Sequence, residues 1–239
     1  MLKPTAMCIL AWSFTTPANA EQTEPTDTRA QLSALAFDPT RFFEDSIGAS
    51  VLLRYRGDDY GWPVWSIAVQ RRCEFQGQGK PCKPRHVARM VRAPGPQAGA
   101  NHRPRWNGTA LVGSVEKRVK QGADIVAAID GAGIDWLEAD VTACPAALAV
   151  LDRVDDVRWV DPGTIGSFGA APGGDIVLHA DTIEVTFPNF DANARYVGWL
   201  KPGSPARWGN DFTQALGPCW RPATAPAPWT KPVGRSVGR

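Results

Sequence analysis

No catalytic signature runs through these 239 residues. The three histidines, His86, His102 and His179, are not spaced to share a metal, and Cys-x2-Cys does not occur, so a zinc site lacks its ligand pattern. Gly-x-Ser-x-Gly is missing as well: Ile165 stands where the first glycine would precede Ser167, so a serine nucleophile elbow is not encoded. Gly163, Gly166, Gly169, Gly173 and Gly174 crowd one stretch, yet no Gly-Lys-Ser or Gly-Lys-Thr follows and GxGxxG spacing is not met. The stretch reads as a plain loop, no nucleotide is expected, and no cofactor or metal is assigned. Past residue 20 no apolar run approaches the roughly 20 residues that cross a bilayer.

What is present begins with an address. Lys3 supplies a positive start, residues 6–14 an apolar run, and Ala18-Asn19-Ala20 a small-x-small cleavage site. That is the pattern of a secretory signal over residues 1–20, removed to leave Glu21 as the first mature residue. The expected location is outside the cytoplasm, periplasmic or secreted. Cys8 would leave with the signal, and Cys73, Cys82, Cys144 and Cys219 would remain in an oxidising compartment. Four cysteines allow three pairings. Residues 65–69 and 86–91 look like neighbouring strands joined by the turn-rich segment 76–81, which brings Cys73 to Cys82 and leaves Cys144 for Cys219.

Net charge is only +2, but it is unevenly spread. Residues 71–105 hold nine Lys or Arg against Glu74 alone, while residues 124–161 hold nine acids against Arg153 and Arg158. One reading is a surface for an anionic polymer, with Arg85, Arg89 and Arg92 as its contacts. The other is that cationic strand residues discourage sheet addition and that the two blocks neutralise each other in the fold.

Along the chain, Asp27 and Asp38-Pro39 are start signals for short helical turns, with Phe37, Phe42 and Phe43 available to pack on a sheet. Val51, Leu53 and Tyr55 alternate with Leu52, Arg54 and Arg56 and predict a strand with one wet face; with residues 65–69 and 86–91 they form a β-meander. Val112, Val115, Val119, Val126 and Ile129 predict one amphipathic helix, weakened at Gly122. Leu137, Ala139 and Val141 share a strand face, Cys144-Pro145 opens another helix, and residues 157–160 read as a short strand. Residues 176–179 and 182–187 predict a hairpin, and residues 195–200 a further strand. Ser204-Pro205 followed by Trp208, Phe212 and Leu216, with Gly217-Pro218 as the stop, is the clearest helix of all.

The expected class is therefore α+β, a mainly antiparallel sheet with hairpins packed by about three amphipathic helices. Residues 21–220 are read as a single domain with a flexible connector at 94–104, and residues 221–239 as a disordered basic tail.

Two functions fit these residues. The first is an exported, disulfide-containing binding or interaction protein of the cell envelope, without catalysis, whose partner is an anionic polymer or an envelope protein. Trp62, Trp65, Trp106, Trp199 and Trp229 fall near loops or strand ends, where an exposed indole stacks on a sugar or peptide. The second is a hydrolase of envelope polysaccharide or peptidoglycan using Glu138 and Asp140, two carboxylates on one strand face at glycosidase spacing. His179 and Asp181, flanking a turn, are a further candidate for a metal or acid/base pair.

Overall fold

The structure, a computed structural model, describes residues 27–44, 49–57, 61–74, 83–95, 104–157, 182–188, 193–198, 200 and 203–232. The signal segment, Cys82, residues 158–181 with His179 and Asp181, and most of the 94–104 connector lie outside these. The fold is α+β, built on a seven-stranded antiparallel sheet: β1 (Ala49–Gly57), β2 (Trp62–Glu74), β3 (Lys83–Arg92), β4 (Asp135–Asp140), β5 (Thr182–Pro188), β6 (Asn193–Gly198) and β7 (Arg221–Pro222). Spatial order is β6-β5-β1-β2-β3-β4-β7, so β1, β2 and β3 form the expected meander at the centre.

Both faces of that centre are dry. On the first, Val51, Leu53, Ile67, Val69, Ala88, Met90, Ala139, Ile183 and Val185 meet α4 (Pro145–Leu151) and α5 (Pro205–Ala215). On the second, Leu52, Ala68, Val87 and Val91 meet α1 (Thr28–Leu35), α2 (Pro104–Lys120) and α3 (Ile125–Asp130). The half-wet strand expected from Val51, Leu53 and Tyr55 is thus corrected, because Leu52 is buried on the far side. Over β5, Glu184 is bracketed on the second face by Arg195 at 2.8 Å and Arg56 at 3.7 Å.

Among the described residues five α-helices pack the sheet, where about three were expected. The predicted helix through Val112 and Ile129 is broken at Gly122, whose φ of +94° is left-handed and compatible with glycine. Asp124 then restarts the chain as α3, its carboxylate accepting from the backbone N–H groups of Val126 and Ala127. Elsewhere the local signals hold: Asp27 caps α1, Pro39 opens a 3-10 turn over Pro39–Arg41, and Ser204 caps α5. In α5, Trp208, Phe212 and Leu216 face the sheet, and a Cβ at Gly209 would meet Leu53, Val185 and Ile183 at 3.2–3.5 Å. That glycine lets the helix lie close on β1 and β5. Cys144 and Cys219 are joined with a Cα–Cα distance of 6.2 Å, tying the start of α4 to the end of α5.

Residues 221–232 are not the expected disordered tail. Arg221 and Pro222 pair with Glu138 and Leu137 as β7, and the indole N–H of Trp136 donates to the Ala225 carbonyl at 2.8 Å. Trp229, in a 3-10 turn over Pro228–Thr230, is buried among the α1–α3 layer, and its indole N–H donates to Asp130 at 3.3 Å. Arg41 clamps the strap by donating to the carbonyls of Pro228 and Lys231, and the Lys231 ammonium donates back to the Arg41 carbonyl. Backbone capture of this kind needs no hydrophobic period in the captured segment.

Candidate functional site

The cationic block folds against the acidic one. β3 and β4 are antiparallel with Arg89 directly opposite Glu138 and Arg92 opposite Asp135. Arg85 reaches Asp140 at 2.9 Å, Arg89 reaches Glu138 at 2.7 Å, and Arg92 reaches Asp135 at 2.8 Å. Side chains alternate across a strand, so Arg85 and Arg89 lie on the α1–α3 face with Val87 and Val91, whereas Arg92 lies on the α5 face with Met90. The three arginines do not make one patch. Arg89 is buried, donates also to the Phe42 carbonyl at 2.8 Å, and sits 4.6 Å from the Phe43 ring centroid, with Arg72 on the same ring at 5.4 Å.

The same pairing deals with the carboxylates. Glu138 and Asp140 share a face, as their spacing requires, but each is held by an arginine, and Asp140 additionally accepts from the Thr142 N–H at 3.0 Å. Neither lines any of the cavities described below. Trp62 is partly buried against the α1–α3 layer with the Arg29 guanidinium 5.5 Å over its ring. Trp229 is core, not platform. The side chains of Trp106 and Trp199 lie outside the described residues. Cys73 is disulfide-bonded and stands opposite Pro84, two positions from Cys82.

A roomier site lies at the other end of the sheet. Beside α5 there is a cavity of about 670 Å³, well inside the range of small-ligand pockets. Its floor is Val64, Trp65, Met90 and Leu137, its end wall Trp220, and its rim Asn107, Asn210, Thr213, Gln214 and Arg92. The floor depends on a β-bulge. Tyr55 pairs with Trp65 and Arg56 with Pro63, which leaves Val64 unopposed and turns both Val64 and Trp65 to the α5 face. Tyr55 backs Trp65 from behind, ring centroids 5.4 Å apart.

The rim comes from two helices. Asn210, Thr213, Gln214 and Gly217 follow one another at steps of three, one and three, a single stripe along α5 and its end, beside the apolar stripe that faces the sheet. Asn107 comes from α2, which is drawn onto β2 at Gly108: a Cβ there would lie 2.6 Å from the Pro63 carbonyl oxygen. Thr213 donates its hydroxyl to the Gly209 carbonyl at 2.8 Å. Among the described residues the carboxamides of Asn107, Asn210 and Gln214 have no hydrogen-bond partner, and the rim's one charged group, Arg92, gives Nε and Nη2 to the Asp135 carboxylate at 3.0 and 2.8 Å. No carboxylate, histidine, cysteine or serine is among the described lining residues.

A second, shallower cleft of about 200 Å³ separates α4 from the start of α5, where Arg207 is already bound to Asp211 at 3.0 Å and the Arg153 Nε donates to the Ala149 carbonyl. His86, half-buried on β3 opposite Arg71, has its pKa pushed down by burial first and by the Arg71 charge second, with Asp152 acting the other way. No group of three or more His, Cys, Asp or Glu is placed to hold a metal among the described residues, and no described helix is long and apolar enough to cross a membrane. In comparison with known proteins, no family model, curated protein or solved structure matches the chain.

Sequence reasoning missed the α5 cavity because a polar stripe at helical spacing ordinarily faces water. The one available signal was chemical: between Ser204 and Gly217 the stripe beside Trp208 and Phe212 carries amides and a threonine, while the neighbouring acid, Asp211, is taken by Arg207.

Proposed function

We propose that this chain is an exported, non-catalytic binding protein of the cell envelope whose ligand seats in the α5 cavity. One observation carries the reading: an open cavity of ligand size presents unpartnered carboxamides over an aromatic floor, and its described lining includes no acid, base or nucleophile. The Cys144–Cys219 disulfide and the signal pattern at residues 1–20 support the exported part. The pairing of Cys73 with Cys82 belongs to the same proposal.

The hydrolase reading has less support, since Glu138 and Asp140 face the α1–α3 layer and are engaged by Arg89 and Arg85. The anionic-polymer reading is weakened by the same ion pairs, which leave Arg85, Arg89 and Arg92 already neutralised. An NMR fragment titration tests the proposal, with the indole N–H signals of Trp65 and Trp220 as reporters. Binders should shift these two together and lose that effect in Asn210→Trp, which fills the cavity. Binders that cluster on the Arg85 and Arg89 face instead overturn it.

A further inference from the structure

We infer that the α5 cavity takes a neutral sugar ring, a segment of uncharged glycan, and the inference rests on the cavity being the ligand site. Four features point to that chemistry. The first is charge: among the described lining residues Arg92 is the one ionised group, and its Nε and Nη2 are given to Asp135. An anion would compete with Asp135 for that guanidinium, and a cation would find no carboxylate among the described lining residues. The second is the kind of polar group on offer. Asn107, Asn210 and Gln214 each present a donor and an acceptor side by side, which suits hydroxyl groups, themselves donor and acceptor at once; an ion needs only one of the two.

The third feature is the apolar wall. Trp65, a buried member of the first core with 9% of its surface exposed, and the partly exposed Trp220 give the cavity aromatic edge and face for the C–H groups of a pyranose, with Met90 and Leu137 between them. Trp65 is held in place by Tyr55 and by the bulge at Val64, so the platform is rigid before a ligand arrives. The fourth is the want of a free strand edge. A peptide that binds by strand addition needs a free edge, but β2, β3 and β4, which supply the floor, are each paired on both sides. The recognition available here is through side chains and ring faces.

The test uses the full mature chain with tetrasaccharides of glucose and of N-acetylglucosamine as probes, and a capped, uncharged tetrapeptide as comparator. Binding is followed by calorimetry and by the indole N–H signals of Trp65 and Trp220. A tetrasaccharide should bind, shift both signals and lose about tenfold in affinity in Asn210→Ala and again in Gln214→Ala, the size of one hydrogen bond each. Both positions sit on the helix face turned from the core, so unfolding midpoints should stay at wild type. If the tetrapeptide shifts the two signals and no sugar does, the glycan inference is overturned while the cavity remains a ligand site. If neither probe shifts them, both readings are overturned. Sugar binding that is unchanged in the two variants places the sugar elsewhere and also overturns the inference.

Discussion

Arg89 stands directly opposite Glu138 in the β3–β4 register and donates to its carboxylate over 2.7 Å, with only 8% of the arginine exposed. An arginine that sequence marks as a binding contact is thus a buried structural pair. Arg89→Ala and Glu138→Gln should each destabilise the fold by about 2 to 3 kcal/mol, somewhat under a fully buried pair because Glu138 keeps partial access to water. Arg89→Met with Glu138→Leu should recover most of that loss. Urea unfolding of the four proteins measures it; loss of heparin binding without loss of stability would return Arg89 to a binding role.

Trp229 fills the second core from a segment that composition marks as disordered. Trp229→Ala should cost about 3 to 5 kcal/mol, the scale of removing a large buried aromatic. A disordered tail would tolerate the change within about 0.5 kcal/mol. Thermal unfolding separates the two outcomes.

The Cys144–Cys219 bridge closes a separation of 75 residues. Changing both cysteines to serine should lower stability by about 4 kcal/mol through the freed denatured chain. Peptide mapping of the oxidised protein should link Cys144 to Cys219, and Cys73 to Cys82. An unchanged urea midpoint in the double serine variant would contradict the first expectation.

His86 sets an acid limit on stability. Its folded pKa is pushed below the ordinary value of 6.5 by burial and by Arg71, so the unfolded ring takes up a proton more readily than the folded one. Its contribution is intact above about pH 6.5 and is lost as the pH falls from there through the folded pKa. His86→Asn should flatten unfolding free energy against pH in that window. A wild-type profile matched by the variant would show that His86 does not control it.

Much of the scaffold could be read from residues alone. Ser204-Pro205, the fourfold spacing of Trp208, Phe212 and Leu216, and Gly217-Pro218 define α5 locally, because capping and periodicity act within one helix. The central meander was legible from alternation in residues 51–55, 65–69 and 86–91 for the same reason. The break of α2 from α3 was half-visible: Gly122 marked it, but Asp124 as a new cap outweighed the continuing valine period. The cavity was not legible. It needs Val64 to be skipped in the β1–β2 register, Gly108 to admit α2 onto β2, and Trp220 to close one end. Each is a tertiary choice with no local period. The charge blocks were visible, whereas the register that pairs Arg85, Arg89 and Arg92 with Asp140, Glu138 and Asp135 was not.

The strap from Cys219 to Trp229 touches everything that matters within eleven positions: the bridge to α4, the wall of the cavity at Trp220, the open edge of β4, and the plug of the second core. These residues are the last of the described sheet and core to leave the ribosome. Until they arrive the β4 edge lacks its β7 partner and the second layer lacks the buried indole of Trp229, so closing of the sheet edge and of that layer waits on the same segment. The order of the chain therefore couples the closing of both layers to one short segment late in the described residues.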